Sequence, residues 1–209
     1  MLRAFFRREH DFYLTGGGAL AGYHLGHRET DDLDLFTSDP AAFERGRFVL
    51  ESAADELGAS FEIRQDAPLF RRFVLGRAEE GLVVDLVCDR MGGPASDRLL
   101  EDGVHVDPPE VILANKLTTI VGRAEERDLV DLFFLERAGY RVETALGAAL
   151  AKDGGCTPAT LAWILSEVTI PDGVALPAGV APAALRDFVA DLVKRLRRAA
   201  LPAGAGNAV

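Results

Sequence analysis

The spacing of apolar residues changes period along this chain, and the change divides the sequence into two parts. Between roughly residues 10 and 90, short apolar runs alternate with polar positions, which is typical of strands. From Pro108 onward, apolar residues recur every three or four positions, which is typical of helices that bury one face. The pattern therefore predicts the α+β class, with a small mixed sheet over residues 1–105 and a helical domain over 106–209.

Turn and capping signals place the elements of the first part. Residues 1–9 form a basic and aromatic lead-in with helical character, and Gly26 ends a brief helix over 19–25. The sequence Ser38-Asp39-Pro40 is a helix start signal for a helix that runs to about residue 57. After Arg90 the chain is predicted to be loose through Gly92-Gly93-Pro94. The predicted strands cover 11–15, 33–36, 60–64, 70–75 and 82–88, and the last three are expected to be antiparallel neighbours.

The second part is predicted to be entirely helical. A stretch rich in proline and glycine, residues 170–181, separates its last two helices, and residues 201–209 form a frayed tail. The predicted helices cover 109–121, 125–137, 143–152, a segment that begins at Thr157-Pro158, and 182–196.

Composition narrows the class of protein. The formal net charge of -10 supplies no general attraction to nucleic acid, so an RNA partner would need a local basic patch. Residues 194–198, the densest cationic run, are more typical of a solvated helix end. The two cysteines suit free thiols in a reducing cytosol, and no apolar run is long enough to cross a membrane. These features predict a soluble, cytoplasmic protein with no membrane partner.

Two carboxylates follow a glycine-rich turn near the N-terminus. Asp32 and Asp34 occupy alternate positions of a predicted strand. Because residues i and i+2 of a strand point to one face, their side chains are expected to project side by side. This arrangement is costly unless a cation lies near them; in the alternative interpretation, the acids belong to a solvated polar loop.

A third carboxylate, Asp85, lies inside the apolar run Leu-Val-Val-Asp-Leu-Val. Burying an ionised acid there without a partner would cost several kcal/mol. Asp85 is therefore expected either to reach a metal or another cation, or to lie in an edge strand exposed to solvent. Three converging carboxylates, Asp32, Asp34 and Asp85, would suit Mg²⁺, which combines a few carboxylates with substrate phosphates.

The helical part contains cations that could complement an anion. Lys116 lies at the margin of an apolar helix stripe and Arg123 lies seven residues further on, so both side chains could reach one anion. They could equally be surface cations. In the next helix, Asp128 and Asp131 share one arc, and Arg123 or Lys116 are their natural partners. We weight Asp128 as a residue that orients the lysine and arginine, rather than as a metal ligand.

Taken together, these motifs resemble the AbiEii family of abortive-infection toxins, which belongs to the polymerase-beta-like nucleotidyltransferase superfamily. The similarity covers about residues 12–136 in order and spacing. Its matching residues are Gly16-Gly17-Gly18 through Gly26-His27-Arg28, Asp32-Leu33-Asp34-Leu35-Phe36, Glu110, Lys116-Leu117, Gly122-Arg123 and Arg127-Asp128-Leu129-Val130-Asp131-Leu132.

The resemblance implies a nucleotidyltransferase core with an appended helical domain and an active site in the cleft between them. It implies that Asp32 and Asp34 bind Mg²⁺, or Mn²⁺ in its place, together with a nucleoside triphosphate (NTP). Lys116 and Asp128 would complete the site. Some relatives are toxins of toxin–antitoxin modules and some transfer nucleotides to tRNA, so tRNA and a cognate antitoxin are the expected partners.

The hypothesis that follows is metal-assisted transfer of a nucleotide to an acceptor hydroxyl. Asp85 would complete a second metal position or accept the hydroxyl proton. Lys116, with Arg123, would neutralise charge on the phosphates. Backbone N–H groups of Gly16, Gly17 and Gly18, at the start of the following helix, would receive the triphosphate.

One residue departs from the family pattern. The family often has Ser or Thr where this chain has Gly18, so weaker nucleotide binding is expected. Two alternatives stay open on this basis. The acceptor could be a small molecule or a protein hydroxyl, or the chain could be a catalytically silent relative that still binds nucleotide.

Overall fold

A computed structural model describes residues 1–89 and 98–201. The chain forms two compact units that divide between Pro108 and Pro109. We call them the sheet unit and the helical unit. The division falls three residues beyond the predicted boundary, because a short strand over Val104–Val106 keeps the chain in the sheet unit. The predicted loose segment at Gly92-Gly93-Pro94, and the predicted tail beyond Leu201, lie outside the described residues.

The sheet unit contains a mixed sheet whose strands follow the order β3-β4-β5-β2-β1-β7-β6. β2 is parallel to β5 and β1 is parallel to β7, whereas the other neighbours are antiparallel. The predicted antiparallel arrangement of the third to fifth strands is thus confirmed. The strands are β1 (Tyr13–Thr15), β2 (Asp32–Thr37), β3 (Ser60–Ala67), β4 (Phe70–Arg77), β5 (Glu80–Cys88), β6 (Leu99–Glu101) and β7 (Val104–Val106).

Strands β6 and β7 were not predicted. Each has only three residues, too few for an alternating pattern to be recognised. Their hairpin turn, Asp102-Gly103, has positive φ at both positions, 53° and 78°. Asp-Gly is the preferred sequence for such a two-residue turn, so this dipeptide was the available signal.

Three helices accompany the sheet: α1 (Leu2–Phe6), α2 (Gly16–Ala19) and α3 (Pro40–Glu56). The helix predicted over 19–25 begins earlier, within the glycine run, and continues as a π-helical turn that Gly26 ends at φ 56°. Asp39 is the N-cap of α3, since its carboxylate accepts hydrogen bonds from the N–H groups of Ala41 and Ala42. The predicted start signal therefore acts through its aspartate.

One face of the sheet forms the core of this unit. Leu14, Leu35 and Leu86 are neighbours on β1, β2 and β5, and all three are fully buried. α3 packs against β5. The opposite face of the same strands is left for polar side chains.

The helical unit confirms the predicted helices to within three residues at the ends that were given. A 3₁₀ turn, Pro177–Gly179, lies in the predicted separator. No helix of the described residues is long and apolar enough to cross a membrane. The helices are α4 (Pro109–Gly122), α5 (Glu126–Arg137), α6 (Val142–Lys152), α7 (Pro158–Glu167) and α8 (Pro182–Ala199).

Candidate active site

A row of polar residues crosses the sheet on the face opposite the core. Thr15 pairs with Asp34, Asp34 with Asp85, and Asp85 with Arg72, on β1, β2, β5 and β4 in turn. Residues directly opposite each other on neighbouring strands point to the same face, so these four side chains form one line. Asp32 joins them, two residues before Asp34 on β2. The strand register thus brings the three predicted carboxylates onto one face.

Asp85 meets a cation, as one of the two interpretations of its sequence required. Its two carboxylate oxygens accept hydrogen bonds from Nε and Nη2 of Arg72, at 2.8 and 2.7 Å. The Asp85 side chain is 10% exposed, whereas that of Arg72 is 47% exposed. A bidentate, charge-assisted pair of this kind stabilises an acid that would otherwise be costly to bury.

The charges of the other two carboxylates, Asp32 and Asp34, also act on Arg72. Its hydrogen bonds to Asp85 raise the pKa of the Arg72 guanidinium against the opposing effect of burial, and the charges of Asp32 and Asp34 raise it further. The guanidinium therefore lies within electrostatic reach of all three acids. Arg72 was not among the residues singled out from the sequence; two adjacent arginines inside an otherwise apolar strand were the available signal.

Gly16 brings the backbone close to Asp34. Its φ is +63°, and a Cβ atom added there would lie 2.2 Å from Oδ2 of Asp34. Both the left-handed backbone and the close approach require glycine. The turn thus forms a cradle beside the Asp34 carboxylate that any larger residue would fill.

Replacing Gly16 with alanine is therefore expected to destabilise the protein by about 1–3 kcal/mol. About 1–2 kcal/mol comes from the left-handed backbone, and displacement of the Asp34 carboxylate adds to it. Urea unfolding measures the change. The matched control is Gly22→Ala, in the following helical turn, where an added Cβ would meet nothing within 4 Å. It should leave stability unchanged or raise it slightly; equal midpoints for the two variants would contradict the cradle.

The other two glycines of the run face different surroundings. A Cβ on Gly17 would lie 2.7 Å from Nη2 of Arg28, so this guanidinium covers the start of α2. A Cβ on Gly18 would meet the Asp32 carbonyl and Leu33 at 3.2 Å and Leu14 at 3.4 Å. Position 18 therefore faces the apolar core side. A Ser or Thr side chain at this position, as the family often has, would therefore leave the backbone on the core side of the sheet and not on the carboxylate side.

The helical unit holds a second charged cluster, the Lys116 triad. Nζ of Lys116 lies 2.9 Å from Oδ1 of Asp128 and 2.7 Å from Oδ2 of Asp131. Asp128 is 1% exposed and Asp131 is fully buried. Nε of Arg123 lies 3.6 Å from Oδ2 of Asp128, an oxygen that has no hydrogen-bond partner among the described residues. The pairing of Lys116 and Arg123 with Asp128, expected from the sequence, is confirmed.

Opposing effects act on the protonation of Lys116. Burial alone lowers the pKa of the Lys116 ammonium group, but the charges of Asp131 and Asp128 and the hydrogen bonds to them outweigh it, so the pKa rises above its ordinary value. Lys116 is therefore charged at neutral pH. Its two acids give the triad a net negative charge, which Arg123 offsets at its edge.

The donor set fits a small metal site built on two carboxylates. Within residues 1–89 and 98–201, no three His, Cys, Asp or Glu side chains are grouped so that they could hold a metal ion. Asp85 is engaged by Arg72. Asp32 and Asp34 share one face of β2, and the Asp34 carboxylate lies beside the Gly16 cradle. Mg²⁺ commonly binds one or two carboxylates and completes its shell with substrate phosphates and water. The residues present therefore fit Mg²⁺ or Mn²⁺ bound by Asp32 and Asp34 with a phosphorylated ligand.

Comparison with known proteins places this geometry in context. The family model described as "Nucleotidyl transferase AbiEii toxin, Type IV TA system" matches residues 1–203. MenT4, a nucleotidyltransferase toxin from Mycobacterium tuberculosis, has a similar fold, with a TM-score of 0.73, 18% identity, and coverage of 97% of this chain and 81% of that chain. JHP933 from Helicobacter pylori is similar with a TM-score of 0.59, 19% identity, and coverage of 95% and 89%. At these identities the two structures support the fold alone. A search of the curated proteins finds no significant match.

Proposed function

This chain belongs to the AbiEii family of nucleotidyltransferase toxins of type IV toxin–antitoxin systems, and from that premise we propose that it transfers a nucleoside monophosphate from an NTP to an RNA acceptor such as tRNA. The observation that carries the proposal is the polar row on the sheet, with Asp34 beside the Gly16 cradle. In the proposed reaction, an acceptor hydroxyl forms a bond to the α-phosphorus, pyrophosphate leaves with the electrons of the broken bond, and the hydroxyl proton passes to solvent water.

Each residue of the sheet face has a part in the proposal. Asp32 and Asp34 hold Mg²⁺, or Mn²⁺, which when bound supplies charge stabilisation for the phosphates. The N–H groups at the start of α2, after Gly16, receive phosphate oxygens, and Arg28 beside Gly17 adds a positive charge. Asp85 is left out of the metal set, and its engaged oxygens make it a poor acceptor for the hydroxyl proton.

The family resemblance gives the helical unit its part. Lys116, oriented by Asp128, and Arg123 neutralise charge that develops on the phosphates. The contact between Lys116 and Asp128 supports an orienting role for the acid. Nε of Arg123 lies 3.6 Å from Oδ2 of the same acid, which supports a role for Asp128 in orienting both cations.

The direct test uses the wild-type protein with each labelled NTP, MgCl₂ or MnCl₂, and total tRNA. We expect label to enter RNA, and EDTA to prevent it. RNA should be analysed on denaturing gels, so that transfer is separated from tight binding. Absence of label from tRNA, from other RNA and from protein, with every NTP and both metals, would overturn the proposal.

A second acceptor class is favoured by one observation, the acidity of the sheet unit. Residues 1–108 contain 12 Lys and Arg against 21 Asp and Glu. Such a surface attracts a cationic small molecule, for example an aminoglycoside, more readily than it attracts RNA. Transfer to such a compound or to a protein hydroxyl, with none to RNA, would select this alternative. The alternative of a catalytically silent relative was based on Gly18. It is less favoured, because position 18 faces the core side of the sheet.

The family also bears on partners and location. A toxin of a type IV system has a cognate antitoxin, and we propose that one accompanies this chain. Both cysteines are unpaired and buried, which is the usual state of thiols in the cytoplasm, where NTPs and tRNA are available. Co-expression with the product of the neighbouring gene should restore growth if expression of this chain alone is toxic.

A further inference from the structure

The guanidinium of Arg72 is held by two hydrogen bonds to Asp85 and by a nearby aromatic ring. Asp85 binds Nε and Nη2 of Arg72, and the guanidinium carbon lies 5.5 Å from the ring centroid of Phe70 on the same strand. The guanidinium is thus fixed on one edge by the carboxylate and lies near an aromatic ring. An arginine held in this way loses little further entropy when it binds a ligand.

The free part of Arg72 is suited to an anion. A guanidinium carries five N–H donors, and Asp85 uses one on Nε and one on Nη2. The Nη1 group and the second hydrogen of Nη2 have no acceptor among the described residues, and they form the edge that binds phosphate in a bidentate manner. Because the side chain is 47% exposed, this edge is accessible to a ligand.

We infer that Arg72 is a phosphate-binding residue for the triphosphate of the nucleotide, and that Asp85 is the residue that positions it. The inference rests on the proposed function and deepens it, since it replaces the predicted metal-binding role of Asp85. It accounts for an acid buried in an apolar strand beside two other acids: the carboxylate of Asp85 aims the arginine toward the ligand shared by Asp32 and Asp34.

The chain supplies a matched control for Arg72 on the same strand. Arg71 is the preceding residue and points to the opposite face, where Glu44 and Asp66 bind it and only 11% of its side chain is exposed. Arg71→Lys and Arg72→Lys therefore make the same chemical change on opposite faces of β4. Only the second should change the affinity for nucleotide.

The first experiment measures binding of ATP, GTP, CTP and UTP, and of inorganic triphosphate with MgCl₂, by calorimetry. We expect Arg72→Lys to weaken triphosphate binding about tenfold or more, because lysine cannot bind phosphate in a bidentate manner, and Arg71→Lys to change it less than about twofold. Equal affinities for Arg72→Lys and the wild type, or equal losses in both variants, would overturn the inference. If the wild type binds no triphosphate, the proposed function itself fails.

The second experiment separates positioning from metal binding. Asp85→Asn removes a negative charge beside a polyanion, which would by itself strengthen triphosphate binding. If Asp85 positions Arg72, the variant should instead bind triphosphate several-fold more weakly, with Mn²⁺ affinity in the absence of nucleotide unchanged. The loss should not add to that of Arg72→Lys in the double variant. Weaker Mn²⁺ binding by Asp85→Asn, or additive losses, would overturn the positioning role.

RNA phosphate is the other source of the same chemistry. Filter binding of tRNA without NTP, for the wild type and both lysine variants, tests whether Arg72 binds RNA phosphate instead. We expect Arg72→Lys to bind tRNA as the wild type does. A selective loss of tRNA affinity with unchanged triphosphate affinity would overturn the assignment to the nucleotide.

Discussion

Replacing Asp34 with asparagine is expected to lower nucleotide transfer by about three powers of ten, which corresponds to about 4 kcal/mol of transition-state stabilisation. Asparagine keeps the shape of the side chain but loses the charge that a hard cation requires. The fold should persist, because the change removes one of several neighbouring negative charges on the sheet face. The measurement is the initial rate of label transfer, with circular dichroism and thermal unfolding to verify the fold.

The matched control is Asp31→Asn. Asp31 is exposed and immediately precedes β2, so the variant makes the same change in net charge three residues away. It should retain transfer within about twofold, since an exposed charge at this distance is largely screened. Comparable losses in the two variants would contradict the metal-binding role of Asp34 and point to the general acidity of the segment. Retained activity in Asp34→Asn would do the same.

The sequence was sufficient for the parts of this molecule that follow from local periodicity. Alternation predicted that Asp32 and Asp34 share a face, and the position of Asp128 in a largely apolar helix predicted that it pairs with Lys116 or Arg123 of the preceding helix. Both rest on geometry within one strand or between consecutive helices. Such patterns are encoded within a short window of residues.

What the sequence did not reveal depends on pairing between distant segments. Arg72 became part of the site only because β4 pairs with β5 in a register that sets it opposite Asp85. A shift by one residue would have turned Arg71 toward the acids instead. The direction of Gly18 likewise depends on how α2 packs against Leu14 and Leu33, which the glycine run alone does not specify.

Replacing Lys116 with methionine is expected to destabilise the protein by about 3–5 kcal/mol. The change removes the ammonium group that contacts the buried carboxylates of Asp128 and Asp131, although Arg123 remains 3.6 Å from Asp128. Removing one partner of a buried charge cluster costs more than the cluster itself contributes. In the wild type the pKa of Lys116 is raised, so its stabilising contribution is complete below the unfolded pKa of about 10.4 and is lost only as the pH rises toward the folded value. Urea unfolding at pH 7 should show the full loss, whereas Lys152→Met, an exposed lysine bonded to Asn115, should show almost none.

The triad also allows structure and catalysis to be separated at Lys116. Adding Asp128→Asn and Asp131→Asn to Lys116→Met removes both buried charges, so the triple variant should recover most of the lost stability. A triple variant that stays as unstable as Lys116→Met would contradict the electrostatic explanation. The triple variant would then be a stable protein that lacks the lysine and both acids. Its triphosphate affinity and transfer rate, compared with those of the wild type, then measure what the whole triad contributes to nucleotide binding and transfer, apart from its contribution to the fold.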